Sequence, residues 1–165
     1  MMLPAIALLT FVTLQRLAEL VHAKRNTKAL MAQGGREIGA EHYPYMVVMH
    51  AAWLVGLWIF GWNQPIDLFW LAIFAVLQLL RVWILATLGG RWTTRIIVLP
   101  DTPKIVTGPY RFLSHPNYVI VVGEIAALPL AFGLPLFALV FSLLNAAMLT
   151  VRIKAENKAL KDAML

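Results

Sequence analysis

DLFWLAIFAVLQLLRVWILATLG, residues 67 to 89, is almost wholly apolar; Asp67, Gln78 and Arg81 are the conspicuous exceptions. As a helix rising about 1.5 Å per residue, such a run crosses the roughly 30 Å hydrocarbon core of a bilayer. Four more apolar runs flank it, at residues 3 to 22, 45 to 62, 117 to 133 and 135 to 153, with stretches richer in Gly, Pro and charge between them. This pattern predicts an all-α protein, an integral-membrane bundle of about five transmembrane helices forming one domain over residues 1 to 165. Composition agrees. With 61% hydrophobic and 13% charged residues and a mean hydropathy of +0.75, too little polar surface remains to cover a water-soluble fold. The first run reads as a permanent helix, since it lacks a basic start and carries Gln15, Arg16 and Glu19 where a cleaved signal would place small residues.

The connection Asn63, Gln64, Pro65, Ile66 and the turn Gly133, Leu134, Pro135 are short, so helices two and three, and four and five, should be antiparallel hairpins. Every lysine and arginine except Arg16 and Arg81 falls in the stretches 23 to 44 and 90 to 116 or near the C-terminal tail. By the positive-inside rule the N-terminus is expected outside and the C-terminus in the cytoplasm, which five spans permit. The net charge of +6 is then a topology signal and a contact with anionic headgroups, with no nucleic acid as partner. The chain contains no cysteine, which removes disulfides, thiolate metal sites and cysteine nucleophiles.

Several ionisable side chains lie inside the apolar runs, where a lone charge costs on the order of 2.5 to 3.5 kcal/mol. Arg16 and Glu19 are spaced for an intrahelical ion pair. Arg81, with Gln78 on its face, and Glu124 are open to two readings, an interhelical lock or part of a site. Asn145, Ser142 and Thr150 are expected to form hydrogen bonds between helices.

The stretch TGPYRFLSHPNY, residues 107 to 118, concentrates polar chemistry before the fourth run. Gly108 and Pro109 break the chain, and Pro116 after His115 starts a helix. Its free N–H groups, with Tyr110, Arg111, His115 and Tyr118 around them, offer a site for a carboxylate or phosphate; the plainer alternative is a proline-started helix with interfacial tyrosines. The second cluster is TVRIKAENKAL, residues 150 to 160, in which Arg152 and Glu156 share a helical face. The hairpin brings both clusters to one end. Their alternative reading is a surface ion pair beside a solvated fringe of Lys154, Lys158 and Lys161.

GPYRFLSHPNY resembles the GPYRxxRHPxY signature, and RIKAENKAL the RxxxEExxL ending, of the isoprenylcysteine carboxyl methyltransferase superfamily of membrane enzymes that use S-adenosylmethionine. LQRLAEL (14 to 20), HYPYMVVMH (42 to 50) and GGRWTTRIIVLP (89 to 100) are similar to its small bacterial branch, which implies a bacterial inner membrane. The resemblance implies that His115, Pro116 and Tyr118 contact S-adenosyl-L-methionine, that Arg152 and Glu156 stand beside the reacting methyl, and that Gly108, Tyr110 and Arg111 shape the loop. No metal is implied. Three departures stand out: Ser114 replaces the motif arginine, Asn157 replaces the second glutamate, and Pro103 and Lys104 occupy the region where eukaryotic members carry a histidine. The implied reaction is methyl transfer to an oxygen, carboxylate or enol or phenol, of a lipophilic small molecule among membrane lipids. A phospholipid N-methyltransferase and a non-enzymatic channel, transport or assembly subunit are the competing readings.

Overall fold

The computed structural model describes residues 2–162. Five α-helices dominate them: α1 (Met2–Ala32), α2 (Tyr43–Gly61), α3 (Leu68–Leu88), α4 (Pro116–Ala131) and α5 (Pro135–Asp162). The bundle is the expected all-α architecture, and each helix falls on one of the apolar runs. α3 begins where Asp67 caps it, the carboxylate accepting from the N–H groups of Phe69 and Trp70 at 2.8 and 3.2 Å. α1 and α5 outrun their apolar stretches; α1, at 31 residues, is about 46 Å long, and its last turns carry exposed Lys24, Arg25 and Lys28 beyond any hydrocarbon layer.

Among the described residues, four helices are long and apolar enough to cross a bilayer. α4 is the shortest of the five, because Pro116 fixes its start and Gly133 and Pro135 its end, leaving 16 residues. It is the bundle's central helix, burying Ile120, Glu124, Ile125, Leu128 and Ala131. Pro129 within it has no N–H to give the carbonyl of Ile125, and the indole of Trp53 on α2 donates to that carbonyl at 3.3 Å. Gly123 lets α4 approach α3: a Cβ there would lie 2.8 Å from Leu77 Cδ1. The main core gathers Leu9, Val12, Trp53, Leu57, Phe74, Leu128 and Phe132 from all but the last helix.

The ends of α1, α3 and α5 and the starts of α2 and α4 share one end of the bundle, together with every lysine and arginine except Arg16 and Arg81. There the structure adds a feature unforeseen in the sequence, a two-stranded antiparallel sheet of β1 (Arg36–Ile38) and β2 (Ile96–Val98), with Glu37 opposite Ile97. Three residues per strand are too few to show a period of two. Arg95 secures it by pairing with Glu37 and stacking 4.0 Å above the ring of Tyr43. Asn26 of α1 ties down the neighbouring turn, donating to the carbonyls of Gly89 and Trp92 at 3.1 and 2.8 Å.

Candidate functional site

The β2 segment roofs a cavity of about 670 Å³ that runs from this basic end into the bundle. Its volume lies within the roughly 300 to 1,000 Å³ of small-molecule sites. All five helices contribute to its wall.

At the basic end the two polar clusters meet. The Tyr118 hydroxyl donates to Glu156 Oε2 at 2.8 Å, and His115 Nδ1 stands 3.6 Å from the same oxygen. The rings of His115 and Tyr118 stack with centroids 5.4 Å apart. Asn157, where the motif has glutamate, presents its carboxamide oxygen 3.3 Å from His115 Nε2 and so keeps an acceptor at that position. No side chain caps the start of α4. Arg152 is 5% exposed; its Nη2 donates to the carbonyl of Thr94 at 2.9 Å, whereas its buried Nε has no partner. The surface-pair reading of Arg152 and Glu156 therefore does not hold: Arg152 turns inward to the β2 segment, and Glu156 is taken by Tyr118 and His115.

Tyr110, His115, Tyr118, Arg152 and Glu156 all line the cavity. Gly108, Arg111 and Pro116 do not. Gly108 adopts φ +56 against the side chain of Thr87, Pro116 is buried at the start of α4, and Arg111 is exposed beside the ring of Phe112. Burial, and then the charge of Glu156, raises the Tyr110 phenol from 10.0 to about 12.

Deeper in, the charges that the sequence left as separate pairs form one ring. Arg16 binds Glu19 at 3.2 Å and Glu124 at 2.7 Å; Arg81 binds Glu19 at 3.2 Å and Glu124 through two nitrogens. Gln78 donates to Glu124 at 2.7 Å, and Gln15 donates to Gln78 at 2.7 Å. Two cations and two anions from three helices thus neutralise each other, and all four line the cavity. The intrahelical reading of Arg16 and Glu19 is accordingly too narrow. The expected interhelical bonds of Asn145 and Thr150 are also corrected: Thr150 returns its hydroxyl to the carbonyl of Ala146 on its own helix, and the buried Asn145 Oδ1 has no partner while its side chain faces the cavity.

His50 on α2 also lines the cavity, as does Asn117, whose buried Oδ1 is unpartnered. Sequence reasoning did not single out either one. His50 was visible only as the end of HYPYMVVMH, because a lone histidine in an apolar run carries no spacing signal.

A sequence profile of the isoprenylcysteine carboxyl methyltransferase (ICMT) family matches residues 70–162, more than half of the chain and inclusive of both polar clusters. The chain is 38% identical over 160 residues to the "Uncharacterized protein YpbQ" of Bacillus subtilis, covering 94% of this chain and 95% of the relative. It is 28% identical over 145 residues to an "Uncharacterized protein" of Haemophilus influenzae, covering 82% and 83% of the two chains. No solved structure matches it significantly. With its apolar helices and the cavity between them, the chain is a methyltransferase-like membrane protein belonging to the isoprenylcysteine carboxyl methyltransferase family.

Proposed function

We propose that this chain is a membrane-embedded, S-adenosylmethionine-dependent methyltransferase that methylates an oxygen of a lipophilic acceptor. The observation that carries the reading is the convergence of His115, Tyr118, Arg152 and Glu156, from two helix ends, on one cavity that continues into the apolar interior.

The residues fit the cofactor's chemistry. Its sulfonium and amino group call for a carboxylate and aromatic faces, which Glu156, Tyr118 and Tyr110 supply. Its carboxylate suits the uncapped start of α4, and its purine the unpartnered amide of Asn117. When bound, it supplies an activated methyl for an in-line displacement. The protein's own work is then alignment and exclusion of water. Tyr118 and His115 fix the Glu156 carboxylate, and the roof held by Arg152 and Thr94 closes the cavity at its polar end. Arg152 Nε, buried and unpartnered, is a donor that can hold and orient an anionic acceptor oxygen before it attacks. An amine acceptor, as in a phospholipid N-methyltransferase, would face the cation of Arg152 instead, which favours the oxygen reading. The clustered loop cations support placing this end in the cytoplasm of a bacterial inner membrane, where the cofactor is made.

The experiment is to incubate membranes carrying the protein with methyl-labelled S-adenosylmethionine and analyse the lipid extract. A labelled lipophilic ether or ester, absent with Glu156→Ala, supports the reading; label on a phospholipid amine, or none above the variant, contradicts it.

A further inference from the structure

The family reading leaves unassigned two polar side chains that line the cavity, His50 and Asn145. His50 Nδ1 lies 2.9 Å from the carbonyl of Met46 one turn earlier on α2. A carbonyl only accepts, so Nδ1 carries the proton, and Nε2 is the nitrogen left free to exchange one. α5 lines the same cavity with Asn145 and Arg152, seven residues and therefore two turns apart on one face. Asn145 is 1% exposed and Arg152 5% exposed, yet Asn145 Oδ1 and Arg152 Nε have no partner. Buried polar atoms of this kind cost stability unless a ligand or water satisfies them.

We infer that His50, Asn145 and Arg152 form the subsite for the acceptor's reacting group, and that this group is a weakly acidic hydroxyl, such as a phenol or enol, whose proton His50 Nε2 removes. The inference rests on the methyltransferase reading for its biological use, and on the cavity alone for its binding chemistry. The step balances as a proton transfer: the O–H bond opens, the proton passes to Nε2, and the electron pair stays on oxygen as the nucleophile that takes the methyl. Arg152 Nε then donates to that oxygen. A free carboxylate needs no base at neutral pH, so the basic nitrogen would serve no purpose with it. The charges acting on His50 are those of Arg16 on α1, Arg81 on α3 and Arg152 on α5, three cations that oppose an imidazolium by itself and favour the anionic oxygen formed beside it. Glu19 and Glu124 are tied into the ring with Arg16 and Arg81 and do not compete for the proton.

The test uses the full chain in lipid nanodiscs with 4-nonyl-2-nitrophenol, whose phenolate absorbs visible light, and with dodecanoate as the carboxylate control. The wild type should bind the nitrophenol saturably and ionise it at roughly tenfold higher proton concentration than empty nanodiscs do. His50→Asn retains a donor for the Met46 carbonyl and lacks Nε2; it should still bind the probe but lose that extra ionisation. Persistence of the ionisation in His50→Asn, absence of saturable binding by the wild type, or tighter binding of dodecanoate would overturn the proposal. Should His50→Asn not fold, the ring carbon signals of isotope-labelled histidine in the wild type decide: movement of one histidine toward imidazolium on adding the probe supports it, and no movement refutes it. Calorimetry with S-adenosylhomocysteine on the same samples separates the two claims. Retained cofactor-product binding in His50→Asn agrees with a role confined to the acceptor, and its loss there counts against that role. Absence of binding by the wild type would instead remove the methyltransferase reading and, with it, the inferred biological use of this subsite.

Discussion

Glu124→Gln should be the most damaging single change in the charged ring. Glu124 is 1% exposed and accepts two bonds from Arg81, one from Arg16 and one from Gln78. Glutamine keeps the shape but removes the charge, leaving Arg81, itself 3% exposed, with only Glu19, which Arg16 shares. Breaking a buried pair from one side costs about 3 to 5 kcal/mol. For a chain of this size each kcal/mol moves the midpoint by about 2 to 4 °C, so a loss on the order of 10 °C is expected. Arg81→Met should cost less, because Glu124 retains Arg16 and Gln78. The double variant Arg81→Met/Glu124→Met should recover much of the loss. Thermal unfolding of the detergent-solubilised protein, followed by tryptophan fluorescence, provides the comparison. A Glu124→Gln midpoint within about 2 °C of the wild type, or a double variant worse than the two singles combined, would refute the idea that mutual neutralisation holds this ring in the apolar interior.

Three further outcomes follow from local geometry. The Tyr110 phenol, raised from 10.0 to about 12, contributes stability that is complete below pH 10 and lost as pH rises through 12; phenolate absorbance should show a late-titrating tyrosine that Tyr110→Phe removes. Gly108→Ala places a Cβ at φ +56 and 2.5 Å from Thr87 Oγ1, so it should cost about 1 to 3 kcal/mol, read as a lowered unfolding midpoint. Trp53→Phe strands the Ile125 carbonyl and should cost about 1 to 3 kcal/mol. Adding Pro129→Ala restores a helical donor to that carbonyl and should return part of the loss.

The apolar runs made the helices legible because in a membrane both length and hydrophobicity are dictated by the bilayer. The hairpin turn at 133 to 135 likewise announced that the start of α4 and the end of α5 share a level, and His115, Tyr118 and Glu156 meet there. What stayed hidden depends on distant pairings. The charged ring joins Arg16 to Glu124 across 108 residues, and no local spacing encodes that contact. Arg152 and Glu156 do line one cavity, but the bond from Arg152 to Thr94 was not legible, since Thr94 offers only a backbone carbonyl, which every residue has. Arg111 matched a motif and yet is exposed beside Phe112 and does not line the cavity, because a motif match specifies the residue but not which way its side chain turns. The β1–β2 pairing joins two segments that each show only three residues of strand, and its role as the cavity's roof emerges only from the folded chain.

The claim on which the account turns is that the start of α4 and the end of α5 hold S-adenosylmethionine together. Titration calorimetry with S-adenosylhomocysteine on the wild type, Glu156→Gln and His115→Ala tests it most directly. Saturable one-to-one binding by the wild type, weakened roughly tenfold or more in each variant, is the predicted result. No binding by the wild type, or equal affinity in all three correctly folded proteins, would contradict it.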